Sequence, residues 1–497
     1  MHIFAGSFFG YIIFENIIFY ERFNLLSLYL EENMKKIIWG TGINAQKLFN
    51  IWRLVDCYPA YFCDNNVDRQ NKKFNDIEVL PPNKILCMQD IKIYIACESY
   101  EEIYRQIIDT GFPYKNIIIA NSLYLAETFY DNSDKIVKNL NNMRCNGNMY
   151  ECVFDLSFGM LLGGVETWSY QMADNLFKKE VDVAYLSSKM SEDKFKKENF
   201  KEIYLSGKNF LEECIRFFIF NDICLFVGNF PYEIFQAACL VKKYYRKDMK
   251  IFAVIHNDEA LYYKIYSLWS NQIDEFFVIS RKIKEELFEY IETSHRVNIL
   301  NWTFQAPTNM FHKNKVKKDY ISIGYAGRIV KDQKRLDLFI EVANILKKEK
   351  IKFIMQLAGQ GTYMDELKRK IEENDLKSQI QLLGYIPNNK IFKFWSDIDI
   401  YLSCSEYEGH SISQVEAMMM GAVPVVTRTS GVEDDIEHGK TGFIVEIGEV
   451  SMLAKHIIEL ANNKKLFFDM SRAVSKSISK KNKQNTFIEK SMSYLRR

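Results

Sequence analysis

The chain alternates short apolar runs with stretches whose apolar residues recur every three or four positions, and the pattern restarts three times. Apolar runs of about four to eight residues between turn residues predict buried strands, and the longer period predicts amphipathic helices. In the first round "KKIIWG" predicts a strand, "TGINA" a tight turn, and Ala45, Leu48, Phe49 and Trp52 one face of a helix. "AYFCDNN", "IKIYIACES" and "NIIIAN" add three more strands, so residues 34–128 predict a small α/β unit with a parallel sheet. The polar, Asn-rich stretch 129–148 predicts a linker.

The second round, 149–305, opens with the strand "YECVFDLSF" and the glycine turn "GMLLGG", followed by a helix face of Trp168, Met172 and Leu176. "DVAYLSS", "ICLFVGN", "IFAVIHN" and "EFFVIS" continue it as strands. The third round, 306–480, carries "YISIGYAGRI", a helix with Leu336, Phe339, Val342, Ala343 and Leu346 on one face, and then "KFIMQLAGQG", "QIQLLGYI", "DIDIYLSCS", "VPVVT" and "GFIVE". The expected fold class is α/β: two facing doubly wound, Rossmann-like domains preceded by a smaller Rossmann-like domain. Two such domains face to face enclose a cleft, and clefts bind ligands.

Composition narrows this only slightly. A length of 497 residues fits two or three domains, and 48% hydrophobic with 26% charged residues is the balance of a soluble globular protein. A formal net charge of +1 gives no support for a nucleic-acid partner. The ten cysteines include no C-x-x-C pair and read as reduced core residues of a cytoplasmic protein. Abundant Lys, Ile, Asn, Phe and Tyr beside eight prolines point to an AT-rich genome.

Residues 1–33 contain the apolar run "FAGSFFGYIIF", too short to span a bilayer and without the basic start of a signal peptide. Because Met34 is followed at once by "KKIIWGTG", the expectation is that Met34 is the true start and 1–33 a non-native or disordered extension. A short interfacial membrane anchor is the rival reading. The Lys-rich "KFKKENFKEIY" at 194–204 reads as a solvated face, with peripheral contact to the anionic inner membrane surface as its alternative.

The chemistry concentrates in "SEYEGHSISQVEAMMMG". Glu408 falls in the loop after a strand, Ser411 and Gln414 fit a capping box that starts a helix, and Gly421 fits the residue just past its end. Glu416 then lies inside that helix. The free amides at the helix start suit an anion of phosphate size, and Gly409 allows a close backbone approach. One carboxylate for each hydroxyl-bearing end of a ligand, with an anion between, suits a nucleotide sugar.

"EGHSISQVE" matches the E-x7-E motif, and over about residues 150–497 the chain resembles the retaining glycosyltransferases of the GT-B fold, family four. "GYAGRIVKDQKRLDLFIE" is similar to that family's G-R-x-x-x-x-K segment, and "LLGGVETWSYQMADNL" to its N-terminal glycine loop and helix. The resemblance implies that Glu416 binds the ribose and Glu408 the donor hexose, with the backbone of Gly409, His410, Ser411 and Ile412 beside the sugar and diphosphate. It implies that Arg328 and Lys334 neutralise the leaving diphosphate, that His256 faces the donor sugar, and that Gly163, Gly164 and Gly327 admit the substrates closely.

No metal and no cofactor are implied, only a UDP- or GDP-sugar as co-substrate. The one D-x-D match, at 397–399, reads as the start of a strand. The resemblance implies a cytoplasmic enzyme of polysaccharide biosynthesis, moving a hexose to a cell-surface glycan or lipid-linked acceptor. It also implies that 481–497 form a helix crossing back to the N-terminal half. Departures are His410 for an aromatic, Ser411 for a glycine, a less glycine-rich Thr429-Ser430-Gly431, and Lys334 one position late, with Lys331 as the fallback. Two alternatives remain: a non-catalytic nucleotide-sugar-binding partner of another transferase, and an epimerase of similar fold. In the first domain Gly40, Gly42 and Ala45 resemble a dinucleotide turn and Asp64 a ribose-binding acid, read either as a nucleotide site or as a structural or docking element.

Overall fold

The structure, a computed structural model, describes residues 34–140, 147–156, 164–189, 200–207, 209–300, 319–481 and 486–495. The expectations for 1–33 and for Gly163 lie outside those residues. The chain divides into two compact units, Met1–Asn141 and Asn142–Arg497.

The first unit holds a six-stranded sheet in the order β3-β4-β2-β1-β5-β6. Its strands are β1 (Lys35–Trp39), β2 (Tyr61–Cys63), β3 (Lys73–Phe74), β4 (Ile77–Leu80), β5 (Ile91–Ile95) and β6 (Ile117–Ile119). All pairings are parallel except the short β3–β4 hairpin, which the apolar pattern did not predict. The stretch expected as a linker from 129 is helical instead: helices Ser122–Asp131 and Ser133–Asn139 bury Phe129 and Ile136. Enough apolar residues remain at helical spacing there to anchor the segment despite its asparagines.

The second unit contains two parallel sheets. The N-terminal half has seven strands in the order β13-β12-β11-β10-β7-β8-β9. They are β7 (Met149–Asp155), β8 (Val183–Ser187), β9 (Lys201–Tyr204), β10 (Asp222–Gly228), β11 (Lys250–Ile255), β12 (Glu275–Val278) and β13 (Val297–Ile299). The end of the Lys-rich stretch is therefore edge strand β9. The C-terminal half has six strands in the order β16-β15-β14-β17-β18-β19. They are β14 (Ile321–Ala326), β15 (Phe353–Ala358), β16 (Ile380–Gly384), β17 (Ile400–Ser403), β18 (Val423–Thr427) and β19 (Phe443–Val445). Strands such as β8, β17 and β18 are buried along their whole length, as parallel strands covered on both faces must be. In both sheets the strand order reverses beside the first strand, between β7 and β10 and between β14 and β17. Crevices at the carboxyl ends of strands at such reversals are where doubly wound sheets bind ligands.

The chain ends by returning to the N-terminal half. Helix Lys464–Lys481 packs on the C-terminal half, with Ser471 Oγ donating to the Gly421 carbonyl at 2.6 Å. Helix Thr486–Leu495 then sets Phe487 against Phe154, Trp168, Phe252 and Phe277. Lys490 and Tyr494 reach the fully buried Glu275 carboxylate at 3.1 and 3.0 Å. Among the described residues no helix is long and apolar enough to cross a membrane.

Candidate active site

A cleft of about 280 Å³ lies between the two halves of the second unit, at the carboxyl ends of both sheets. From the N-terminal half it is lined by Gly164, His256 and Ile279, among others. From the C-terminal half it is lined by Gly327, Arg328, Lys334, Glu408, Gly409, His410, Ser411, Ile412 and Glu416. The structure therefore brings together every sequence-predicted residue of this site that it describes.

The helix Ile412–Met419 starts where the capping signal placed it, with Ser411 Oγ accepting from the Gln414 N–H. Tyr401, buried in β17, holds the same hydroxyl at 3.0 Å. Gly421, at φ +76°, follows the helix end. Gly409 has a different physical reason from the one its motif suggests. A Cβ there would lie 1.9 Å from the His256 carbonyl and 2.7 Å from Ile279 Cδ1. Glycine is required because the opposite half's backbone sits against it.

Glu408 accepts on Oε1 from Ser405 Oγ at 2.8 Å and pairs there with Lys334. Among the described residues its Oε2 has no partner. Lys334 is the lysine of this site; Lys331 sits 3.6 Å from Glu366 and does not line the cleft. Arg328 is exposed and donates to Gln333 Oε1 at 2.7 Å. Glu416 is buried, and its Oε2 accepts from Trp395 Nε1 at 3.3 Å. Burial pushes its carboxyl up to about 7, opposed by the Trp395 hydrogen bond.

His256, following β11, is buried edge-on to Trp168 with ring centroids 5.3 Å apart. Desolvation lowers its pKa to about 3, so the ring is neutral. Asn229 donates both amide hydrogens, to the Asp155 carbonyl at 2.7 Å and Ser169 Oγ at 2.9 Å. Its Oδ1 must therefore accept from His256 Nε2, 2.9 Å away, which assigns the proton to Nε2 and leaves Nδ1 an acceptor.

Sequence reasoning missed Trp395, Ser405, Asn229 and Glu166. Glu166 stands in the first turn of helix Gly164–Phe177, and burial raises its pKa, with Arg328 across the cleft among the opposing influences. Its position two residues after the glycine pair was the available signal. The D-x-D match does structural work: Asp399 Oδ2 accepts from the backbone N–H and the hydroxyl of Ser322, each at 2.9 Å.

In the first unit, Gly40 closes β1 at φ +118°, where a Cβ would lie 2.8 Å from the Ala96 carbonyl. Gly42 is the N-cap of helix Ile43–Arg53, in which Ala45 is buried. Asp64 already has partners of its own. Thr41 and Arg69 meet its Oδ2, and the Asn66 N–H donates to its Oδ1 at 2.9 Å.

Residues 307–480 match the family described as glycosyl transferases group 1, and residues 32–118 match the family described as C2185-like, N-terminal. The chain is 27% identical over 225 residues to a poly(ribitol-phosphate) alpha-N-acetylglucosaminyltransferase of Staphylococcus aureus, covering 44% of this chain and 43% of that one. It is 29% identical to a glycogen synthase of Thermodesulfovibrio yellowstonii over 36% of this chain and 39% of that one. The chain thus spans about two fifths of the length of these relatives. Among solved structures, the Anabaena protein HepE in complex with UDP-glucose superposes with a TM-score of 0.57 at 14% identity, over 69% of this chain and 100% of that one. WaaG, a glycosyltransferase of lipopolysaccharide biosynthesis, gives 0.53 at 13% identity, over 69% and 99%. The second unit has the GT-B fold of these neighbours.

Proposed function

We propose that this protein is a retaining, metal-independent hexosyltransferase that moves a hexose from a UDP- or GDP-sugar to a cell-surface glycan or lipid-linked acceptor. The observation that carries this reading is the convergence on one cleft of two carboxylates, two cations and a neutral imidazole drawn from both halves. Glu416, buried beside Trp395, accepts from the ribose hydroxyls. The open Oε2 of Glu408 takes a hexose hydroxyl while Lys334 holds its other oxygen. Arg328 and Lys334 face the diphosphate, where negative charge grows as the glycosidic bond breaks. His256 accepts a sugar hydroxyl on Nδ1.

The relatives' names support the acceptor class. They include, besides the poly(ribitol-phosphate) enzyme, a capsular polysaccharide glycosyltransferase of Staphylococcus aureus. The chain would work at the cytoplasmic face of the membrane that presents such an acceptor.

The test is nucleotide release from a panel of UDP-, GDP- and ADP-sugars with a lipid-linked acceptor extract, with and without a chelator. One donor should turn over, unaffected by the chelator, and Glu416→Ala should abolish the signal. Release that survives Glu416→Ala would overturn the assignment of the cleft.

A further inference from the structure

The residue between Gly409 and the helix cap is bonded on both sides of its ring, on one side to the opposite half and on the other to its own. His410 Nδ1 lies 3.0 Å from the carbonyl oxygen of Ile279 in the N-terminal half. Its Nε2 lies 2.5 Å from Asp435 Oδ2 in the C-terminal half. The two side chains are 5% and 6% exposed. A carbonyl and a carboxylate only accept hydrogen bonds, so a ring bonded to both donates from both nitrogens and is an imidazolium.

The contact belongs to a seam. The Arg281 N–H donates to Asp434 Oδ2 at 2.8 Å while its guanidinium meets Oδ1, and Ser280 Oγ lies 3.4 Å from Ser430 Oγ. Gly409 is pressed on the His256 carbonyl beside it.

The geometry points to His410 as a positioning residue: its imidazolium ties the loop carrying Glu408 to the opposite half and so holds the donor cleft in its assembled form. This deepens the proposed function and rests on that reading of the cleft. A phenyl ring in the same place could fill the space but make neither bond. The surrounding charges are Asp435 in contact, Asp434 with its partner Arg281, and Glu408 on the preceding loop with its partner Lys334. His256 across the seam is neutral. Burial alone would lower the pKa of His410, but Asp435, the Ile279 carbonyl and Asp434 raise it above the ordinary value. A raised folded-state pKa means that the tie is complete at acid pH and is lost as pH rises through that value.

The experiment follows the radius of gyration by small-angle X-ray scattering and the thermal midpoint of the full chain without ligand, from about pH 6 to about pH 9. Wild type should expand and lose stability as pH rises, and His410→Phe and His410→Gln should lack that pH-dependent part. Arg281→Ala, which weakens the seam without a titrating group, should lower the midpoint equally at every pH. Superimposable pH profiles for wild type and His410→Phe would overturn the proposal. Should the His410 variants fail to fold, Asp435→Asn serves: its transition should move to lower pH, and an unmoved transition overturns the proposal.

A binding arm with UDP and GDP separates the two readings. The ratio of nucleotide affinity in wild type to that in His410→Phe should fall several-fold across the range as the tie is lost. A constant ratio with good binding overturns the tie and leaves the donor site standing. Opening with pH, but no nucleotide bound at any pH, supports the tie and defeats the donor reading.

Discussion

Asp64, just after strand β2 in the first unit, and Glu416, in helix Ile412–Met419 of the second, are both buried carboxylates, and they differ in what surrounds them. Asp64 is satisfied by its own neighbours, Thr41, Arg69 and the Asn66 amide. Glu416 has one weak donor, Trp395, and otherwise meets an apolar wall and a cleft. Its elevated pKa is the signature of that shortage of partners. A strand-end acid is thus no evidence of a ligand by itself. The informative property is whether the fold has already satisfied it.

Three substitutions test the contrast. The largest effect is expected for Arg328→Ala, which under the proposed function removes a cation facing the diphosphate. Turnover should drop by about 10²–10³-fold with the fold intact, read as steady-state kcat beside an unchanged melting curve. An effect under tenfold would show that Lys334 alone suffices.

Glu416→Gln comes second and has a pH signature. Because its folded pKa is raised, Glu416 contributes stability in its protonated form, and that stability is lost as pH rises from the ordinary carboxylate range through about 7. Wild type without ligand should lose on the order of 3 kcal/mol over that window, and Glu416→Gln should not. Donor affinity should run the other way, tightening as pH rises through about 7 because the ionised carboxylate accepts from both ribose hydroxyls. Equal pH profiles in the two proteins would place Glu416 outside the ribose site.

The smallest effect is expected for Asp64→Ala. Loss of its hydrogen bonds should cost about 1–2 kcal/mol of stability in the first unit, seen by hydrogen exchange in β1 and β2, while nucleotide binding in the cleft is unchanged. If Asp64→Ala instead abolishes binding of a nucleotide to the isolated first unit, the contrast fails.

How far the sequence was legible follows from where the information resides. In the C-terminal sheet β17, β18 and β19 stand out because each is a fully buried run, whereas edge strand β16 buries only Ile380 and is legible from its apolar residues alone; the capping box predicted the start of helix Ile412–Met419. Strands β9, with no buried residue, and β13, three residues long, carry little pattern to read. The helices after 128 were hidden because asparagine density outweighed a few well-spaced apolar residues. Within the site, Glu408, Glu416 and Arg328 belong to local motifs. The partners that set their chemistry do not: His410 meets Asp435 at a separation of 25 residues and Ile279 at 131, and no spacing rule reaches that far.

The return of helix Thr486–Leu495 to the N-terminal half also has a consequence in time. Glu275 waits for Lys490, 215 residues further along the chain. At ordinary synthesis rates of about 5–20 residues per second, that is a delay of roughly 10–40 s. Throughout it the ribosome presents a half-domain whose aromatic socket for Phe487 is open and whose buried acid lacks its C-terminal partners. The N-terminal half therefore completes its core only when helix Thr486–Leu495 has been made.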